Sequence, residues 1–542
     1  ALGCIFHELL AASVVQGCSE VLNDLILQLL NPEPARRVGY VADVERVLAR
    51  FAGEPPSEAA SVYYLYRPVI SRRDDHLATM DRLMSGIVKG QGQIVMIAGE
   101  SGVGKTRFVS EIATRAQARG FQVVTGHGEP ASGSGTSVGA AFHPLRGMGR
   151  AMLDLCWDLP DALSPPVLKI IAQVDPRFAE VPDAIHEPEP PNLPPEASRY
   201  RLFVAFLQVM RALATNGPLL VVLDDLHWAD PMTLNFIGFL SQEQLVNARV
   251  LLIGTRRLGD SSPALEDMLA STQAERINLG SLDEAGVSEM VQDMLALDAP
   301  APSLARFLTR HTGGNAFYVG EYLRAAIASG LLWRDDDRGW KVQPVDVDGP
   351  VEYDKLDLPD SMQALVLARI ERLPHNARAL VRAAAVLGRE VPLDLLGPTS
   401  GLSEGVLLGG VATLLREQVL TESTAASLRF VHQKVREVAY DNLEPERRRE
   451  LHRVAALVLE SDNATWESRL GELGQHWEHA GELGRAHGVY LAGARVAVTR
   501  NSADEAEKLF RSSLRITTTA SARVGPLLEL GSDVLWAYGR ME

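Results

Sequence analysis

The segment Gly99-Glu100-Ser101-Gly102-Val103-Gly104-Lys105-Thr106 constrains the fold of this chain more than any other feature. It satisfies the pattern G-x4-G-K-[ST] and follows directly on an apolar run, Ile94–Ala98, that reads as a buried strand. The residues from Arg107 onward read as a helix, so the loop joins a strand to a helix. Its glycines let successive backbone N–H groups turn inward around a phosphate. Lys105 brings a point charge to β- and γ-oxygens, and the Thr106 hydroxyl can ligate Mg²⁺. The helix directs its positive end at the same anion. An ordinary glycine turn would need neither the strand before it nor the helix after it.

At 542 residues, and roughly 150 residues per domain, the chain holds about three or four domains. Apolar runs at Ile94–Ala98, Phe121–Thr125, Leu219–Leu223, Val250–Ile253 and Ile277–Leu279 alternate with helical patterns. Such alternation predicts a parallel sheet covered by helices. A proline-rich stretch, Glu187 to Pro195, reads as an exposed insertion before a helix carrying Leu202, Phe203, Phe206, Met210 and Leu213 on one face. Beyond residue 300 helices dominate, broken by a predicted hairpin in which Asp335–Gly339 turns between Trp333 and Trp340. From Gly471 to Ile516 short alanine-rich helices are separated at Gly481 and at Asn501-Ser502, a spacing that suits closely stacked helix pairs.

Composition narrows the partners. Fifty-three basic and 69 acidic residues give a net charge of −16, so no global field draws the chain to nucleic-acid phosphate or anionic lipid. Its apolar runs fall far short of the roughly 18 residues that span a bilayer. Three scattered cysteines, Cys4, Cys18 and Cys156, make neither a disulfide framework nor a zinc site, which fits a reducing, cytoplasmic setting. The chain begins at Ala1 without methionine and is read as a fragment of a longer protein.

A second chemical element stands on the third apolar run. Leu219-Leu220-Val221-Val222-Leu223-Asp224-Asp225 delivers two carboxylates at the C-terminal edge of a strand, where ligands sit in parallel sheets. Asp224 is expected to hold Mg²⁺ with Thr106, and Asp225 to orient or deprotonate an attacking water. Near the end of the next strand, Gly254-Thr255-Arg256-Arg257 places a guanidinium where it could sense a γ-phosphate. Arg257 is counted among the expected nucleotide contacts, although the sequence leaves open whether Arg256 or Arg257 points inward.

Leu223-Asp224-Asp225-Leu226-His227-Trp228-Ala229-Asp230-Pro231 resembles the second nucleotide motif of the signal-transduction ATPases with numerous domains, the STAND class. Ile70-Ser71-Arg72-Arg73 is similar to the V-G-R-E motif at the start of that module, and Gly314-Asn315-Ala316-Phe317-Tyr318-Val319 to its G-N-P-F-F-V motif. Ser71 replaces a glycine of the first motif and Ala316 a proline of the second. Leu358–Gly388 and Arg429–Tyr440 look like the winged-helix module that follows in such proteins. The resemblance implies a P-loop NTPase parallel sheet (67–300), a helical lid with a hairpin (301–357), a winged helix (358–460) and a tetratricopeptide-like array (461–542). It also implies that Ile70 lies at the nucleotide and that His432 donates a hydrogen bond to a phosphate of ADP in a closed form.

The first residues resemble something else. Ala1-Leu2-Gly3-Cys4-Ile5-Phe6-His7-Glu8-Leu9-Leu10 is similar to the S-L-G-C-x-x-x-E-L-L helix of serine/threonine kinase C-lobes, and Pro34-Ala35-Arg36-Arg37 to the P-x-x-R near their end. Residues 1–52 are therefore expected to be a kinase remnant, joined by a linker at 53–66. No Gly-rich kinase loop, H-R-D or D-F-G occurs, so no phosphotransfer is expected from this chain. The expected function is an ATP-binding switch ATPase of bacterial signal transduction, the C-terminal part of a kinase–ATPase fusion, with slow hydrolysis, ATP/ADP and Mg²⁺ as cofactors. The alternative is a large LuxR-type activator whose DNA-binding part lies outside the chain. Expected partners are a protein or small-molecule inducer at the helical array and a nucleotide-dependent oligomer, with no direct nucleic acid and no membrane.

Overall fold

A computed structural model describes residues 70–536, with 129–142, 157–163, 343–360 and 462–468 outside the description. Positions 173, 180, 192, 241, 246, 261, 298, 330–331, 335–339, 389, 425–426 and 500–502 also lie outside it, and before residue 70 it includes 25–27, 29, 44, 48 and 65. The proposed kinase remnant, the linker, the tip of the hairpin and Leu358–Asp360 thus fall almost wholly outside the described residues. The chain divides into two compact units, Arg73–Gly280 with Gln363–Glu542, and Ala1–Arg72 with Ser281–Met362.

In the first of these units, helix α1 (Asp74–Val88) precedes a five-stranded sheet. The strands are β1 (Gln93–Gly99), β2 (Gln122–His127), β3 (Leu219–Asp224), β4 (Val250–Arg257) and β5 (Glu275–Leu279). All pair in parallel in the order β2-β3-β4-β1-β5. Central parallel strands are covered on both faces, which is why β3 is buried at every position and reads as a continuous apolar run. Helices α2 (Lys105–Ala118), α3 (His143–Cys156), α4 (Pro195–Asn216), α5 (Pro231–Phe239) and α6 (Pro263–Ser271) connect them. One face of the sheet packs Val221, Leu223 and Leu252 with Phe203, Phe206 and Met210 of α4 and Phe236 of α5 into a single core. The described part of the Glu187–Pro195 stretch is coil and largely exposed, and Pro195 opens α4 at its first turn.

Three helices, α7 (Glu284–Leu295), α8 (Pro302–Thr312) and α9 (Ala316–Ala328), make up the main described part of the other unit. The motif Gly314-Asn315 acquires a local cause there. Gly314 has φ 71°, and a Cβ on it would lie 1.9 Å from the Leu282 carbonyl oxygen, while the Asn315 side chain caps α9 by accepting from the Tyr318 N–H. The expected hairpin is present as an antiparallel pair, β6 (Leu332–Arg334) with β7 (Trp340–Val342).

Returning to the first unit, α10 (Met362–Arg372), α11 (His375–Leu387), α12 (Leu393–Ser400), α13 (Glu404–Arg416) and α14 (Gln433–Asp441) surround a small antiparallel sheet. Its strands β8 (Glu390–Pro392), β9 (Leu420–Thr424) and β10 (Ser427–Phe430) run in the order β8-β10-β9. The alanine run at Ala383–Ala385 is buried, and Arg436 of α14 donates to the Ala385 carbonyl at 3.1 Å. Helices α15 (Pro445–Ser461), α16 (Leu470–His479), α17 (Leu483–Thr499), α18 (Ala503–Ile516) and α19 (Ala520–Glu529) follow in succession, with a break at Gly481 as expected from the alanine spacing, while the expected break at Asn501-Ser502 lies outside the described residues. No helix among the described residues is long and apolar enough to cross a membrane.

Candidate functional site

The C-terminal edge of the large sheet carries the glycine loop with Lys105 and Thr106, the Asp224-Asp225 pair and Arg257. β1 ends in the glycine loop, and α2 starts at its far end with Gly104 at φ 102° and Gly102 at φ 84°. Both values lie where L side chains rarely go, so glycine at these two positions is what the turn requires. Lys105 is the first residue of α2 and is 7% exposed. Its ammonium donates to the carbonyl oxygens of Gly99 and Glu100, each at 2.9 Å, which holds the charge over the mouth of the loop. Burial keeps this ammonium below its ordinary range. Arg257 adds to that effect, while the charges of Asp225, Asp224 and Asp260 oppose it.

Strand order explains how the carboxylates reach the loop. β4 lies between β3 and β1, so a residue near the end of β4 stands between the Asp224-Asp225 pair and the last residues of β1. That residue is Thr255, fully buried, whose hydroxyl donates to Asp224 Oδ1 and accepts from the Asp225 N–H at 2.9 Å. Asp224 itself is 3% exposed and its other oxygen, Oδ2, accepts from the Thr106 hydroxyl at 3.4 Å. Asp225 turns out of the strand in the left-handed region at φ 58°, a conformation that aspartate tolerates better than most residues. Asp230, in the same sequence motif, serves the fold, since its carboxylate caps α5 by accepting from the N–H groups of Met232 and Thr233.

An oxygen-only pair, the Thr106 hydroxyl beside the Asp224 carboxylate, suits Mg²⁺, which takes few protein ligands and completes its shell with water and phosphate oxygens. Among the described residues no group of three or more His, Cys, Asp or Glu is placed to hold a metal.

Arg257 stands level with Gly99, Arg256 with Ala98, and Arg257 is the one whose charge bears on Lys105. The Arg257 side chain is 15% exposed and faces Asp260 Oδ2 at 3.8 Å and Glu437 Oε1 at 3.9 Å. Glu437 belongs to α14, the helix that His432 begins. The His432 Nδ1 accepts from the Lys434 N–H at 3.1 Å and so acts as a cap, which leaves its ring hydrogen on Nε2. Ile70 is half-buried and belongs to the other unit, in which neighbouring Ser71 is buried and Arg72 pairs with Glu289 at 3.0 Å.

Three residues at this edge escaped the motif reading. Thr255 drew no role from the sequence, because its partners come from an adjacent strand whose position no local pattern reveals. His127 ends β2 level with Asp224, with its Nδ1 4.0 Å from Asp224 Oδ2. Glu437 lies 180 positions beyond Arg257 in the chain and, although it falls within Arg429–Tyr440, drew no role of its own from the sequence.

Residues 70–253 match the AAA ATPase domain family. Such a domain implies nucleotide binding, typically with Mg²⁺. A protein of Rhizobium meliloti (strain 1021), described as uncharacterized, is 25% identical over 485 residues, covering 82% of this chain and 42% of that protein. The chain thus spans about two fifths of the length of that relative. Among solved structures, the Signal Transduction ATPase with Numerous Domains (STAND) protein with a tetratricopeptide repeat sensor from Pyrococcus horikoshii is 12% identical, with a TM-score of 0.45 over 88% of this chain and 65% of that one. Cdc6p from Pyrobaculum aerophilum is 12% identical with a TM-score of 0.33, covering 69% of this chain and 94% of that one.

Proposed function

We propose that this chain is a regulatory switch ATPase of bacterial signal transduction, in which binding and slow hydrolysis of ATP set the arrangement of the modules that follow the large sheet. The observation that carries the reading is the convergence of Lys105, Thr106, Asp224 and Asp225 on one sheet edge, where Thr255 ties Asp224 to the Asp225 backbone and Thr106 meets Asp224. In this reading the backbone N–H groups of Gly99–Thr106 cradle the phosphates. Lys105 exchanges its two carbonyl partners for β- and γ-oxygens, an exchange that its partial desolvation favours. Thr106 and Asp224 would hold Mg²⁺, whose chemistry there is to draw charge from the phosphate oxygens. Asp225, held just past the strand end, orients the attacking water and takes its proton. Arg257 steadies the terminal phosphate.

The downstream parts receive proposed roles as well. The antiparallel sheet with α10–α14 serves as a winged-helix clamp, and α15–α19 as a tetratricopeptide-like array that meets a protein or small-molecule inducer. His432, with its hydrogen on Nε2, is the donor that would reach a diphosphate in the closed form. Residues 1–52 are the end of a kinase lobe in a longer kinase–ATPase fusion.

Single-turnover hydrolysis tests the chemistry. Asp225→Asn keeps the shape of the side chain and loses the base, so hydrolysis should fall by about 10²-fold or more while ATP affinity stays within about twofold. Hydrolysis equal to the parent's, with binding intact, would remove Asp225 from its role.

A further inference from the structure

Arg257 is a cation beside the phosphate loop whose charge is shared with a distant module. Its guanidinium lies 3.8 Å from Asp260, three residues along the same chain segment, and 3.9 Å from Glu437 on α14. Both separations exceed hydrogen-bond length, so the attraction is Coulombic and leaves the arginine able to reorient. Glu437 is 29% exposed and its second oxygen takes the Lys434 ammonium at 3.1 Å, which fixes the carboxylate on the α14 surface that faces β4. Lys434 is also the residue whose N–H the His432 ring caps, so Glu437, Lys434 and His432 form one connected end of α14.

A nucleoside triphosphate differs from a diphosphate at this edge by one further anionic group, the terminal phosphate, whose added charge Lys105 alone, shared with the phosphate before it, does not balance. A guanidinium level with Gly99 is placed to answer that group, and a carboxylate that draws on the same guanidinium competes with it. We propose that Glu437 determines which nucleotide the site favours: it holds Arg257 toward α14, the terminal phosphate of a triphosphate must take the arginine from it, and a diphosphate leaves the pair in place. The inference rests on the nucleotide-binding reading above and assigns a positioning residue that this reading does not contain. By reciprocity, whatever the triphosphate gains from Arg257 it takes from the attachment of α14 to β4, so the nucleotide state is passed to the second module through this pair.

The test is a comparison of affinities for ADP and for a non-hydrolysable ATP analogue, each with Mg²⁺, in the full chain. Glu437→Gln preserves volume and the helix while removing the charge. It should tighten the triphosphate analogue by about fivefold, the upper range for a partly exposed ion pair, and leave ADP within about twofold. Arg257→Gln should weaken the analogue, and in that background Glu437→Gln should have no further effect. Glu437→Asp, which retracts the carboxylate by one methylene, should fall between wild type and Glu437→Gln. Equal shifts for both nucleotides, no shift for the analogue, or an undiminished Glu437→Gln effect without Arg257 would overturn the proposal. Lys105→Ala separates this failure from that of the underlying reading. If Lys105→Ala abolishes binding while Glu437→Gln does nothing, only the role of Glu437 is lost, whereas unchanged binding in Lys105→Ala refutes the nucleotide site itself.

Discussion

Acid should open the joint between α15 and α16. His452 and His476 are fully buried there, with their Nδ1 atoms 2.9 Å apart. The Tyr440 hydroxyl lies 2.9 Å from His452 Nε2, His479 stacks on His452 at 4.8 Å, and Glu472 Oε1 stands 4.0 Å from His476 Nε2. A single hydrogen fits between the two Nδ1 atoms, so one ring donates and the other accepts, and burial favours the neutral form of both. Burial pushes His476 down to about 4, against the pull of Glu472 and with help from His479 and Arg469. Burial also holds His452 well below its ordinary value, and His476, His479, Arg448 and Arg436 add to it.

The sign follows from linkage. A histidine whose packed-state pKa is depressed stabilises packing fully above the unfolded value of about 6.5 and loses that contribution as pH falls below it, until the packed-state pKa is reached. Lowering the pH from about 7.5 to about 5.5 therefore favours opening by about tenfold through His476 alone, and His452 adds to it in the same direction. Hydrogen exchange reads this directly. After correction for the intrinsic pH dependence of exchange, amides of α15 and α16 should lose at least about tenfold of protection across that range, while those of α4, which contains no histidine, should not. A loss in α15 and α16 no larger than in α4 would refute the reasoning.

Two other substitutions probe the sheet edge. Thr255→Val removes one bond to a carboxylate and one to a backbone N–H while filling the same space, and should cost about 2–4 kcal/mol, seen as a lower melting temperature together with lost Mg²⁺-dependent hydrolysis, while Thr255→Ser restores both. A melting temperature equal to the parent's would show the bridge to be inconsequential. Gly104→Val meets no atom within 4 Å yet must adopt φ 102°, so it should abolish nucleotide binding at a modest cost in thermal stability, and retained binding would show that the loop tolerates another backbone path.

Much of this architecture was legible because burial and chemistry coincide with local pattern. All five apolar runs became the parallel strands, and Gly481 marks a helix boundary with its φ of 85°. β4 runs four residues further than its apolar stretch, to Arg257, because a central strand keeps its backbone pairing after its side chains turn polar at the ligand edge. Periodicity stops where polarity begins, so Thr255 and Arg257 lie beyond the apolar run Val250–Ile253 from which the strand is read. The roles of Thr255, His127 and Glu437 depend on which strands and helices become neighbours, and so does the pairing of His452 with His476. That information is distributed over the whole chain, where no motif collects it.

The central claim is that Gly99–Thr106 holds the phosphates of a nucleotide, and calorimetric titration of Mg²⁺–ATP into the full chain tests it most directly. Wild type should bind one equivalent saturably, and Lys105→Ala, which leaves the carbonyls of Gly99 and Glu100 without their cation, should lose at least about tenfold in affinity. Equal affinity in the two proteins, or no binding by wild type, would contradict the account.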